Sequence, residues 1–150
     1  MRVLVSWAQD SRVSDSVLEG IYMVSTLGGA IWDNIVTASH LNCIRHPAGM
    51  NPVSVRENHV GRCGGQAPYV GDGIKIEGAD CSVERNHVSC NVDWGPHFTS
   101  TASGDTSGGN TAIGNFGTPS CTGTTFGGVD FCDEGTGTAR FGNNLVPTLQ

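Results

Sequence analysis

One short signature recurs along the chain and limits its folding more than any other feature: Asn or Asp, any residue, then Val or a similar small apolar residue. It stands at Asp15-Ser16-Val17, Asn34-Ile35-Val36, Asn58-His59-Val60, Asn86-His87-Val88 and, more weakly, Asn110-Thr111-Ala112. The intervals are 19, 24, 28 and 24 residues. A period that wanders through the low to middle twenties fits coils of constant cross-section whose surface loops differ in length. The longest internal match sets Val53–Val60 against Cys81–Val88, with five of eight positions identical.

A second register precedes each corner. Gly20-Ile21-Tyr22-Met23, His40-Leu41-Asn42-Cys43, Gly73-Ile74-Lys75-Ile76 and His97-Phe98-Thr99-Ser100 alternate inward and outward residues, as in a strand with one buried face. Turn-forming clusters lie between the registers, among them Leu27-Gly28-Gly29, His46-Pro47-Ala48-Gly49 and Gly78-Ala79-Asp80. Gly71–Asn91 is the best single copy of strand, turn, strand and Asn corner.

One such strand pair cannot bury its own apolar side. Stacking successive coils about 4.8 Å apart pairs each strand with the coils above and below, and inward Ile, Val, Leu and Met form a continuous column. Identical corner amides then hydrogen-bond along the stack. The expected fold is an all-β parallel solenoid of about five coils over residues 1–116. Residues 117–150 read as a degenerate last coil or an irregular Gly/Thr-rich tail, and Cys121–Cys132 as a further coil or a cysteine-closed loop. Val3-Leu4-Val5 already reads as a coil strand with no cap before it, which points to a piece of a longer protein.

Composition agrees. Glycine, at 22 residues, is about twice its usual share, and no long Ala/Leu/Glu/Lys segment favours helix. The formal charge is −6, and the eight basic residues are seven Arg and Lys75 alone. No basic stripe is available to neutralise phosphates, so nucleic acid is not an expected partner. No apolar run reaches bilayer-spanning length, so neither is a membrane. Six cysteines are many for a reducing compartment and favour an extracellular or cell-surface setting. Cys63 and Cys90 follow corner Asn residues by five and four positions and are candidates for a disulfide or a thiol stack between adjacent coils.

The Gly-Ile-x-Ile…Val-x-x-Asn-x-Val pattern resembles the right-handed parallel β-helix repeat of the pectin-lyase-like superfamily, over roughly residues 2–116. That resemblance implies a carbohydrate-active protein, a polysaccharide lyase or glycoside hydrolase on an extracellular or cell-wall polysaccharide. The same superfamily includes non-catalytic β-helices, so a scaffold for adhesion, surface display or a tail-spike-like role is the alternative. The Asn-Thr-Asp, Asp-Asp, Gly-His-Gly and Arg-Ile-Lys signatures of polygalacturonase-like enzymes are missing, as is a recognisable acidic calcium cluster. No cofactor is expected on the residues themselves, with calcium the one candidate that the resemblance raises.

Outward residues of the first strand register, Tyr22, Asn42, Lys75 and Thr99, define the expected face, with Asp72 and Glu77 flanking Lys75 and His40, Arg45 and His97 at neighbouring strand ends. Removing a proton beside a uronic carboxylate needs a base and a neutralising cation, which Lys75 and Arg45 supply. Glycoside hydrolysis needs two carboxylates across the bond, and Asp72 with Glu77 is the nearest pair. The expected catalytic residues are therefore Asp72, Lys75 and Glu77. Tyr22, Asn42, Arg45, Tyr69, Trp94 and His97 are the expected substrate contacts, with Tyr69 and Trp94 as aromatic platforms. The competing reading is an ordinary solvated strand face. His59 and His87 occupy equivalent positions after the corner Asn and are expected to stack; neither they nor His40, Cys43 and His46 are assigned as metal ligands.

Overall fold

In the computed structural model the described residues are 3–5, 7–24, 27–65, 71–116, 121, 123–126 and 130–146. They form short strands and turns, with no helix among them. The strands run β1 (Val3–Val5), β2 (Trp7–Gln9), β3 (Arg12–Ser14), β4 (Ile21–Met23), β5 (Gly29–Trp32), β6 (Ile35–Thr37), β7 (Ile44–His46), β8 (Val53–Arg56) and β9 (His59–Gly61). They continue as β10 (Ile74–Ile76), β11 (Ser82–Glu84), β12 (His87–Ser89), β13 (Pro96–Phe98), β14 (Thr106–Gly108), β15 (Thr111–Ile113), β16 (Thr124–Phe126), β17 (Phe131–Asp133), β18 (Ala139–Phe141) and β19 (Asn144–Val146).

Strands pair in parallel with their counterparts one coil on, three strands later up to β15 and four later where β16 intervenes, which is the signature of a solenoid. The first sheet is ordered β1-β4-β7-β10-β13-β17, the second β2-β5-β8-β11-β14-β18 and the third β3-β6-β9-β12-β15-β19. The hairpin strand β16 joins the end of the first sheet antiparallel to β17. The parallel solenoid is thus as expected, and its coil number is close to that expected. Strand pairing carries through β17, β18 and β19, beyond the point where the sequence repeat fades.

Three-residue strands leave little choice of which residues face inward. In the first sheet positions one and three do so: Ile21 and Met23, Ile44 and His46, Ile74 and Ile76, all buried. In the other two sheets one aligned position does: Ile31, Val55 and Val83 in one, Val36, Val60, Val88 and Ala112 in the other. Each Val, Ile or Met side chain so removed from water contributes roughly 1.5–3 kcal/mol before entropy is subtracted.

Sharp corners join the second and third sheets. The residue before each corner amide has positive φ: Asp33 at 54°, Glu57 at 57°, Arg85 at 52°, Gly109 at 63° and Gly142 at 59°. The left-handed turn costs a non-glycine residue about 1–2 kcal/mol. The ladder offsets that cost by giving the buried amides partners. Oδ1 of Asn58 accepts the backbone N–H of Asn34 at 3.1 Å and its Nδ2–H at 3.0 Å, and Asn86, Asn110 and Asn143 repeat the arrangement up the stack.

Two features differ from the sequence expectation. The first corner is Ser11, whose N–H donates to Asn34 Oδ1 at 3.1 Å, and not Asp15, because β3 begins at Arg12 in register with Ile35. The strands expected at His40–Cys43 and His97–Ser100 are instead β7 and β13, so Arg45 and His97, not Asn42 and Thr99, take the outward positions. β7 begins only at Ile44, which moves the outward position three residues later, and β13 begins at Pro96, which moves it two residues earlier. Cys63 pairs with Cys43, within the core, and Cys90 is an exposed free thiol, so the Cys63–Cys90 link is not formed. Cys121 pairs with Cys132.

Candidate functional site

Parallel pairing places Tyr22, Arg45, Lys75 and His97 in one outward row on the first sheet, one residue per coil. The row is bound to itself. The Arg45 guanidinium lies 5.6 Å over the Tyr22 ring, donates to both oxygens of Glu77 at 3.0–3.2 Å, and reaches Glu19 at 3.1 Å. Lys75 Nζ is 3.6 Å from Asp72 Oδ2, the same oxygen that lies 3.0 Å from His97 Nδ1. Asp72 Oδ1 accepts the Trp94 backbone N–H at 3.1 Å, and Asp72's own N–H donates to Asn42 Oδ1 at 3.0 Å. Burial lowers the His97 pKa, but the hydrogen bond and charge of Asp72 outweigh it and leave the imidazole raised overall.

These contacts locate each expected residue. Asp72 is only 2% exposed, and its two oxygens are occupied by Trp94, His97 and Lys75. Glu77 is clamped by Arg45, which donates to both of its carboxylate oxygens. Asn42 is a buried acceptor in a turn. Trp94 is 2% exposed and presents no ring face to a solute. Tyr69 lies outside the described residues. Tyr22, Arg45 and Lys75 stay half-buried on the surface. Carboxylates taken up in this way do not make the converging oxygen cage that calcium requires.

A concavity lies on the third sheet, where the sequence drew attention only to the two histidines. It is an open groove of about 560 Å³ lined by residues that include Arg12, Ser14, Thr37, His59, Arg62 and His87. Two outward rows make its floor. Arg12, Ile35, His59 and His87 align in one, and Ser14, Thr37, Gly61 and Ser89 in the other. Gly61 leaves the floor open, since a Cβ there would stand 2.8 Å from the Ser89 carbonyl. The His59 and His87 rings stack at 5.6 Å between centroids, as expected from their equivalent positions.

One wall of the groove is a line of left-handed residues, Asp15 (φ 55°), Ala38 (56°), Arg62 (59°) and Cys90 (56°). Each stands one residue past a strand of the third sheet and four past the corner Ser or Asn, a spacing by which sequence could have found them. Their N–H groups donate along the stack, Arg62 to the Ser89 carbonyl at 3.2 Å and Cys90 to that of Ile113 at 3.1 Å. The backbone is thereby held while the side chains project outward. Arg12 and Arg62 put two guanidinium groups and Asp15 one carboxylate on a groove otherwise rich in hydroxyls and imidazoles, a surface of net positive charge suited to a hydroxylated, anionic solute. Compared with known proteins, the chain matches no family model, no curated protein and no solved structure.

Proposed function

We propose that the chain is a carbohydrate-binding β-solenoid that holds an acidic polysaccharide in the groove of its third sheet. The observation that carries this reading is the pairing of Arg12 and Arg62 with the aligned hydroxyls of Ser14, Thr37 and Ser89 and with the His59–His87 stack. Guanidinium groups meet uronate carboxylates in a fixed fork, and hydroxyls and imidazoles exchange hydrogen bonds with sugar hydroxyls. Successive coils set these groups about 4.8 Å apart along the stack, a regular spacing that suits a repeating polymer. The resemblance of the repeat to pectin-lyase-like proteins supports the same ligand class. Two disulfides support an extracellular or cell-surface setting.

A second reading rests on the row of the first sheet. Lys75 is adjacent in register to Arg45, so a base and a carboxylate-neutralising cation stand side by side, as β-elimination of a uronate polymer requires. In that mechanism Lys75, with Asp72 beside it, takes the proton, and Arg45, held by Glu77, steadies the substrate carboxylate. The satisfied ion pairs of this row favour binding without turnover.

One experiment separates the readings. Uronate-containing and neutral polysaccharides are titrated into the protein by calorimetry, and the same mixtures are assayed for unsaturated products and new reducing ends. Binding of uronate polymers that weakens in Arg62→Ala and with added salt, without new products, is the expected result. No binding across the panel by folded protein removes the carbohydrate reading and leaves the scaffold role. Product formation lost in Lys75→Ala would move the function to the first sheet.

A further inference from the structure

The last two coils of the first sheet hold a group of side chains that the groove does not use. His97, Cys132 and Glu134 each offer one ligand atom, and these atoms all lie within 4.8 Å of one another. His97 and Cys132 are adjacent in register on β13 and β17, and Glu134 follows β17 directly. The His97 side chain is 11% exposed, and its Nε2 is buried without a hydrogen-bond partner, 3.6 Å from a Glu134 oxygen. Its other nitrogen, Nδ1, is fixed by Asp72 at 3.0 Å. A carboxylate on Nδ1 that turns Nε2 toward a ligand position is the support a metal-bound histidine ordinarily has.

The third member is withheld, because the Cys132 sulfur is bonded to Cys121. We propose that reduction of this disulfide opens a zinc-type site made of His97 Nε2, the Cys132 thiolate and a Glu134 carboxylate oxygen. A dithiol reductant supplies the step: its two thiols become a disulfide, and the Cys121–Cys132 bond takes up the two electrons and two protons to become two thiols. Metal binding then expels the Cys132 thiol proton and any proton on Nε2. The fourth tetrahedral position falls to the released Cys121 sulfur or to water. One nitrogen, one or two sulfurs and one carboxylate oxygen form a donor set for zinc or cobalt rather than calcium or magnesium. Lys75 is the nearby charge that opposes the ion, and its Nζ is directed at Asp72, 3.6 Å away. This site is independent of the carbohydrate reading.

Cobalt(II) serves as the probe, followed by thiolate-to-cobalt charge-transfer absorption and by equilibrium dialysis. The work uses a Cys90→Ser background to remove the exposed thiol. Cys81 is buried, and desolvation pushes its thiol up to about 12, so it is not a competing thiolate. The oxidised protein is expected to take up no cobalt with this band, and the dithiol-treated protein one ion per chain. Cys121→Ser is expected to bind without reductant, and His97→Ala to weaken the reduced protein's affinity by about tenfold or more. Equal binding by oxidised and reduced protein overturns the proposal. So does reduced-state binding that His97→Ala and Cys132→Ser leave unchanged. The comparison of oxidised with reduced protein still decides between these outcomes if Cys121→Ser does not fold.

Discussion

Asn86 accepts two donors of Asn58 on one atom: its Oδ1 takes the Asn58 backbone N–H at 3.0 Å and the Asn58 Nδ2–H at 2.9 Å. Its own Nδ2 donates to Asn110 Oδ1 at 3.0 Å and to the Val55 carbonyl at 2.9 Å. Both residues are buried, at 0% and 1% exposure, so water cannot replace what a truncated amide would leave. Asn86→Ala is expected to cost about 2–4 kcal/mol, from at least one orphaned buried group above and one below. Urea denaturation measures it; a loss under about half a kcal/mol, the low end for one net hydrogen bond, would mean the ladder is decoration.

Asp105 gives the solenoid a pH dependence. Its Oδ1 accepts the Cys81 N–H at 2.7 Å, while its Oδ2 is buried without a partner. Burial, opposed by that hydrogen bond, raises its pKa from 3.8 to about 6. The folded state therefore holds a proton that the unfolded state has released. This contribution to stability is full below about pH 4 and is lost as pH rises through about 6. Asp105→Asn should abolish that slope and be the more stable protein at about pH 7.5 by on the order of 1–2 kcal/mol. The difference between the two proteins' denaturation free energies from about pH 4 to 8 isolates the effect from His46, whose pKa burial lowers and which acts in the opposite sense.

Arg62 separates stability from binding. It holds φ at 59°, where glycine carries no steric penalty, and its guanidinium lines the groove. Arg62→Gly should leave stability level or raise it by up to about 1 kcal/mol, the relieved strain being partly offset by added unfolded-state entropy. It should weaken uronate-polymer binding severalfold. Thermal melting and calorimetry on one preparation report both quantities.

Removal of the Cys43–Cys63 bridge should be costly because it lies wholly inside the core, both residues being 0% exposed. The Cys43→Ala/Cys63→Ala protein is expected to lose about 2–5 kcal/mol. A wild-type melting temperature that falls on reduction, and a double variant indifferent to reductant, would show that this bridge carries the effect.

The chain alone determined that it stacks. A corner amide, an inward Val two residues later and an Ile-x-Ile strand recur because every coil must solve the same burial problem with the same residue types. That pattern was legible in the order of residues. Register was not, because a slip of a few residues in a three-residue strand leaves the local alternation equally good. Pairing with neighbouring coils put Arg45 and His97 where Asn42 and Thr99 had been expected. Cysteine pairing was equally out of reach, since Cys43 and Cys63 meet only when the coil closes. The groove shows the same division. His59 and His87 could be matched from their repeat positions, but Arg12, Ser14 and Arg62 become neighbours only through the stack. A repeat specifies what each coil does alike; a site is built from what adjacent coils do differently, and only tertiary contact brings those differences together.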